Sequence, residues 1–205
     1  MTGKHNVPVI EDAAQAVGAD YIFKNGQTQK GGTIAEIGTT SFYPTKNLGA
    51  YGDGGALFTN DDGLAEKIHI ITNHGSSRKY YYDSIGVNSR LDSMQAVVLE
   101  EKLKNLDAYN EARQSAAAFY DKSFANHPNL TIPARAACSN HVFHQYTLKV
   151  SHKRDELKEH LAADGVPSMI YYPVPLHLSS AYKWYGYNEG DFPVSETLAD
   201  QVLSL

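Results

Sequence analysis

The chain has 205 residues, 42% of them hydrophobic and 11% aromatic, with 18 lysines and arginines against 23 aspartates and glutamates for a formal net charge of -5. That size can bury a core, and the charge balance, with no long run of one sign, excludes an electrostatic footprint for nucleic acid. The single cysteine, Cys138, excludes an intrachain disulfide and a cysteine zinc cluster, and no apolar stretch approaches the length of about 18 residues that a transmembrane helix needs.

Val7-Pro8-Val9-Ile10 reads as a short buried strand, over residues 7–11, that opens the chain after only six residues. An α/β domain rarely opens on a central strand, so a fragment or truncated chain is expected, with exposed strand edges as a liability. Asp12-Ala13-Ala14-Gln15-Ala16 is a turn or helix start. Residues 20–32 carry Asn25-Gly26 between two short polar-apolar runs, a hairpin signal. Residues 39–43 and 56–59 are β-type runs separated by a loop holding Gly49, Gly52, Gly54 and Gly55. Asp61 suits a helix N-cap ahead of Leu64, Ile68 and Ile71.

From about residue 91 to residue 125, Leu99, Leu103, Leu106, Tyr109, Ala112, Ala116 and Phe119 recur at threes and fours. This pattern predicts one long helix with a continuous apolar face, bridging two domains. Pro128 and Pro133 follow. Val142, His144, Tyr146, Leu148 and Val150 alternate as a strand, residues 153–164 read as a helix stopped by Gly165, and residues 166–172 as another strand. Residues 201–205 continue a helical apolar pattern. The domains are therefore expected at 1–125 and 126–205. The first residues lack the apolar core of a signal peptide, and the protein is expected to be soluble and cytoplasmic.

The strongest chemical signal is Ser41-Phe42-Tyr43-Pro44-Thr45-Lys46-Asn47-Leu48-Gly49, followed by Gly52-Asp53-Gly54-Gly55. A strand delivers Ser41 and Lys46 into a loop whose glycines can let backbone approach a ligand. A hydroxyl five residues before a lysine suits a phosphate contact beside an amine nucleophile. It is not a P-loop, where the glycines come first and Gly-Lys-Ser/Thr last. Taken alone, the loop reads more readily as a solvated surface loop. Asp12 lies after an apolar strand, where open α/β sheets bind ligands, and a carboxylate there can pair with a protonated ring nitrogen. It can equally cap a following helix.

Together with Val9-Ile10-Glu11-Asp12-Ala13-Ala14-Gln15-Ala16, with Gly86-Val87-Asn88-Ser89-Arg90-Leu91-Asp92-Ser93-Met94-Gln95-Ala96, with Tyr171-Tyr172-Pro173-Val174-Pro175-Leu176-His177 and with Asp191-Phe192-Pro193-Val194-Ser195-Glu196, these segments resemble the DegT-type nucleotide-sugar aminotransferases over nearly the whole chain. The resemblance implies an α/β fold. The first part would be the C-terminal part of the large domain of a pyridoxal-phosphate (PLP) enzyme of fold type I, with a mixed, mostly parallel sheet and helices. A small α+β C-terminal domain would follow.

The resemblance also implies site roles. Lys46 matches the lysine that bonds to PLP and later moves the substrate proton, and it argues against the family's sugar dehydratases, where a histidine replaces that lysine. Asp12 matches the carboxylate on the pyridine nitrogen, Gln15 the amide near the phenolic oxygen, and Ser41 a phosphate ligand. Asn88 matches an asparagine that reaches the phosphate in the partner subunit's site, with Arg90 beside it, which implies a homodimer with shared sites. Tyr172 and His177 match positions facing the sugar nucleotide, although packing at a hinge accounts for them as well. His74-Gly75 and Tyr80-Tyr81-Tyr82 fall in a loop near the substrate entrance, with surface packing the plainer reading of the tyrosines. His144 reads as a satisfied core histidine. No metal is implied.

The implied reaction moves an amino group from an amino acid, typically glutamate, to a nucleotide-linked keto-sugar, leaning to the 3-oxo position. It would serve cell-surface polysaccharide or glycan biosynthesis. A non-catalytic protein of the same fold, acting as a binding or assembly partner, is the other reading. Relatives carry an N-terminal portion, with a phosphate-binding turn and a ring-stacking aromatic, that has no counterpart here. This chain alone is therefore expected to be a poor catalyst.

Overall fold

The structure is a computed structural model that describes His5 and residues 7–205. They form two compact units, one of the residues up to Gln114 with Arg135–His144, the other of Ser115–Ala134 with Gln145–Leu205. Both mix helix and strand, the α/β class expected from the sequence.

In the first unit, β1 (Ile10–Asp12) starts later than the apolar run predicts. Pro8 has no N–H for a ladder, and Val9 N–H is taken at 2.9 Å by the Glu36 carboxylate. β2 (Asp20–Ile22) and β3 (Thr28–Lys30) pair antiparallel around Asn25-Gly26, with Gly26 at φ +82°, as the hairpin signal requires. β4 (Ile37–Ser41) is the central strand of a mixed sheet. It runs parallel to β1, with Asp12 opposite Thr39, and antiparallel to β5 (Gly55–Phe58), with Ser41 opposite Gly55. Asp61 caps α1 (Asp62–Thr72), accepting from Leu64 N at 2.8 Å. β6 (Ser76–Arg78) and β7 (Tyr81–Tyr82) form a short hairpin that leaves Tyr80, Tyr81 and Tyr82 exposed.

The single long helix expected over residues 91–125 is two: α2 (Ser93–Leu103) and α3 (Leu106–Phe124). The break at Lys104-Asn105 resets the helical phase, so a stripe drawn through it does not stay on one face. Leu99, Leu106 and Ala117 are buried, together with the polar Asn110. Leu103, Tyr109 and Phe119 from the expected stripe are 56%, 43% and 67% exposed. Leu48, Ala50, Leu99 and Leu106 form one buried cluster, with Val17 and Phe42 packed against it. The residues after Lys46 are thus part of the core rather than of a free surface loop.

The second unit holds the C-terminal part of α3, an antiparallel sheet and two further helices. The sheet order is β10-β9-β8, from β8 (Leu130–Thr131), β9 (Thr147–Val150) and β10 (Val202–Ser204). α4 (Arg154–Ala163) ends at Gly165, which takes φ +75°. α5 (Pro193–Gln201) leads into β10. The alternation over residues 142–150 yields a strand only at β9. Ahead of it Phe143 takes φ +46°, outside any strand. Residues 166–172 form no strand; Met169 makes one isolated bridge to Ser204. Residues 202–204 are β10, not helix, because Val202, Leu203 and Ser204 pair with Lys149, Leu148 and Thr147. Leu203 is completely buried there, with Leu148 and Val150 almost so.

Candidate active site

Parallel pairing of β1 with β4 brings the carboxyl ends of both strands to one sheet edge. Asp12 ends β1 and Ser41 ends β4, and the Lys46 loop leaves from that same edge. The Ala13 N–H to Thr39 carbonyl bond (2.9 Å) and the Thr40 hydroxyl on the Ala13 carbonyl (3.3 Å) fix this register. Glu11 and Asp12 point to opposite faces, as neighbours on a strand do. Glu11 is consumed by structure, accepting from Gly32, Ile34 and Ala35 N–H at 2.7, 3.0 and 3.4 Å. Asp12 is exposed, and its Oδ1 accepts from Ala14 N–H at 3.0 Å. The alternative of a helix cap is resolved against: Asp12 closes a turn, and no helix follows. Gln15 lies exposed in that turn.

The Ser41 Oγ accepts from Tyr43 N–H at 3.2 Å, which leaves its own proton to donate. Lys46 is half-buried, and its N–H closes a turn onto the Tyr43 carbonyl at 2.8 Å. Asn47 anchors the loop. Its Nδ2 donates to Asn110 Oδ1 at 2.7 Å and to the Val142 carbonyl at 2.8 Å, while Asn110 Nδ2 donates to the Val17 carbonyl at 3.2 Å. One buried amide pair thereby ties the turn after Asp12, the Lys46 loop and residues 142–144 together. Asn110 and Asn47 escaped sequence reasoning; a polar residue inside a helix's apolar stripe was the available signal.

Two of the loop glycines are required by the packing of the chain on itself. A Cβ on Gly49 would stand 2.3 Å from the Pro44 carbonyl oxygen, and one on Gly55 2.7 Å from that of Thr40. Their missing side chains serve close packing of the chain on itself.

Asn88 and Arg90 occur together, with Arg90 Nε donating to Asn88 Oδ1 at 3.0 Å, and both are exposed. Asn88 also bridges to Asn73.

In the second unit Tyr172 is exposed beside a cavity of about 570 Å³ lined by residues that include Pro173, Leu176, Ser195 and Val202. His177 has a side chain only 8% exposed, and its Nε2 lies 2.8 Å from Glu196 Oε1. Its partner is therefore protein, and any ligand contact would fall to the other ring nitrogen. The Gly190 N–H chiefly, then His177 and the Phe192 N–H, hold the Glu196 carboxyl below its ordinary value against the opposing effect of burial. A depressed folded value contributes stability above the unfolded value and loses it as pH falls through the folded one. Glu196→Gln is expected to be less stable at neutral pH, with the difference in thermal midpoint shrinking as pH falls into the acid range. A constant difference would contradict this linkage.

Among the described residues no cluster of three or more metal-ligating side chains occurs, and no helix is long and apolar enough to cross a membrane.

Comparison with known proteins identifies relatives over the whole chain. The family described as DegT/DnrJ/EryC1/StrS aminotransferase matches residues 1–205. A protein of Geobacillus stearothermophilus named pleiotropic regulatory protein is 47% identical over 98% of this chain and 53% of its own length. A UDP-N-acetyl-3-dehydro-alpha-D-glucosamine 3-aminotransferase of Acidithiobacillus ferrooxidans is 44% identical over 100% of this chain and 53% of its own. The solved structure of S. venezuelae DesV superposes with a TM-score of 0.91 at 44% identity, covering 100% of this chain and 53% of that one. The chain spans about half the length of the relatives it matches.

Proposed function

The chain belongs to the DegT/DnrJ/EryC1/StrS aminotransferase family, and from that premise we propose that its protein is a PLP-dependent sugar aminotransferase. It would move an amino group from an amino acid, glutamate by our reading, to a nucleotide-linked 3-oxo sugar for surface polysaccharide or glycan assembly. The observation that carries this is the common edge of Asp12, Ser41 and Lys46. The donor set there suits the cofactor: an amine for its aldehyde, a carboxylate for its ring nitrogen, and a hydroxyl with a proton to give its phosphate.

Bound PLP supplies an electron sink for the carbon that loses its proton. The protein's part follows from its side chains. Lys46 would hold the cofactor through Nζ and carry the proton between substrate carbon and cofactor. Asp12 would keep the ring nitrogen protonated by its negative charge, and Gln15 would lie near the phenolic oxygen. Ser41 would donate to the phosphate, and Asn88 would do so in a partner subunit's site. Arg90, Tyr172 and His177 would meet the substrate.

A homodimer with shared sites is supported by the exposure flanking Asn88 and Arg90, where Tyr80, Ile85 and Met94 are 76%, 99% and 77% exposed. Apolar surface of this kind marks an interaction face. The exposed free thiol of Cys138 suits a reducing cytoplasm, the compartment we propose. The domain division we propose along the chain is 1–125 and 126–205, and the compact units differ from it by placing residues 115–125 with the second and 135–144 with the first.

The 3-oxo preference gains support from the name of the A. ferrooxidans relative, a 3-aminotransferase of a 3-dehydro sugar nucleotide. The name of the G. stearothermophilus relative favours a second reading, a regulatory or assembly role without catalysis. PLP added to the purified protein and reduced with borohydride separates them. A reduced adduct mapped to Lys46 by peptide mass is expected; its absence at saturating PLP sinks the catalytic reading. Given glutamate and a panel of 3-oxo and 4-oxo sugar nucleotides, transfer to 4-oxo sugars alone would overturn the regiochemistry.

A further inference from the structure

Glu196 sits in the first turn of α5 and gathers three donors from two stretches of chain. Its Oε1 accepts from the Gly190 N–H at 3.0 Å and the Phe192 N–H at 3.2 Å, and lies 2.8 Å from His177 Nε2. Its Oε2 accepts from the Gly190 N–H at 2.9 Å. Closing the turn ahead of α5 needs only the two backbone donors. The bond to His177 reaches back 19 residues to a side chain in the helical turn Leu176–Leu178, and a helix cap does not account for it. The Phe192 ring packs against the imidazole at 4.8 Å between centres, and Tyr187 meets Phe192 edge-on at 5.0 Å. His177 is thus held on its flank by a ring and at its tip by a carboxylate.

An ionised carboxylate offers only acceptor sites, so Nε2 carries a proton, and in the neutral ring Nδ1 is left with its lone pair. Nδ1 makes no hydrogen bond among the described residues. His177 also lines a cavity of about 390 Å³ whose other walls are Leu176, Tyr182, Tyr185, Tyr187 and Phe192. The side chains give that cavity apolar faces, and the imidazole sets one oriented acceptor among them. A lone pair accepts from a hydroxyl and repels a diphosphate oxygen, which has no proton to give. The arrangement therefore favours the sugar of a sugar nucleotide over its diphosphate.

We propose that Glu196 is a positioning residue: by holding the proton on Nε2 it makes His177 an acceptor for a sugar hydroxyl in this aromatic-walled cavity. The role rests on the sugar-nucleotide reading of the protein.

Two measurements test it. The isotope-labelled ring nitrogens of His177, read by NMR at about pH 8, should report the Nε2–H form in the parent. In Glu196→Gln, whose amide can accept from the ring or donate to it, they should report a mixture of both tautomers. Binding is read by calorimetry with UDP-N-acetylglucosamine and dTDP-glucose, each beside its free nucleoside diphosphate. Glu196→Gln should weaken whichever sugar nucleotide the parent binds by about fivefold and leave the nucleoside diphosphate within about twofold. In a His177→Ala background the same substitution should cost less than about twofold, because the group it acts through is gone. Unchanged sugar-nucleotide affinity in Glu196→Gln overturns the role, as does equal weakening of the nucleoside diphosphate. So does an undiminished effect without His177, which makes Glu196 a helix cap alone, and so does a parent ring in the Nδ1–H form or a tautomer that Glu196→Gln leaves unaltered. A parent in the Nε2–H form that binds neither sugar nucleotide removes the reading of the protein, and this role with it.

Discussion

Lys46→Ala is expected to abolish borohydride-trapped PLP and to slow the proposed amino transfer by at least about 10³-fold, the scale of losing the nucleophile and proton carrier we propose it to be. No other described amine can take its place from the same anchorage. Lys46 follows a turn closed on the Tyr43 carbonyl and precedes Asn47, whose amide is bound on two sides. Lys46→Arg should fail nearly as badly, because guanidinium stays protonated and cannot attack a carbonyl. Both variants should keep the parent's thermal midpoint, since Lys46 is only partly buried and lies outside the buried cluster of Leu48, Ala50, Leu99 and Leu106. Residual adduct on another lysine, with unchanged transfer, would refute the assignment.

Gly49→Ala is the second large effect, and it acts through the backbone. Its Cβ would stand 2.3 Å from the Pro44 carbonyl oxygen and 3.0 Å from that of Tyr43, neither of which can move without reopening the turn that ends at Lys46. The Gly49 carbonyl also accepts from Lys102 Nζ at 2.6 Å, so the displaced loop would lose its tie to α2. A destabilisation of about 1–3 kcal/mol is expected in urea unfolding, together with PLP capture slowed by at least about tenfold as Lys46 loses its aim. Gly52→Ala provides the contrast. Its Cβ would meet only the end of the Gln95 side chain, at 3.3 Å, which can give way. Equal losses in the two variants would mean that generic loop stiffness, not the Pro44 contact, sets the effect.

What the sequence makes legible is local chemistry. Asn25-Gly26 names its hairpin, Asp61 its helix and Gly165 its stop, because each residue acts on backbone within a few positions of itself. The spacing of Asp12, Ser41 and Lys46 is legible through resemblance, and parallel pairing of two strands gives it physical form. What is illegible depends on distant partners. The phase of α3 is set by a break at Lys104-Asn105 that no strong breaker marks. Val142 and His144 alternate like strand residues, yet Asn47 and Arg113 capture their carbonyls and turn the chain away from a ladder. Residues 202–204 look helical because Val202 and Leu203 are apolar, but Leu148 lies opposite Leu203 and draws them into a sheet. His144 looked like a core histidine because nothing in its neighbours reveals that one of its nitrogens goes unpaired.

The Asn47 amide bond to the Val142 carbonyl spans 95 residues of chain, and that separation has a temporal consequence. Contacts between segments far apart in sequence close late, because loop entropy must be overcome before they form. During synthesis the β1–β4 edge can pair as soon as residue 41 has emerged, while the clamp on the Lys46 loop waits for residue 142. Strand pairing is thus expected to precede the clamp on the Lys46 loop. A newly made chain is then expected to pass through a stage in which β1 and β4 are paired while the Lys46 loop is not yet clamped.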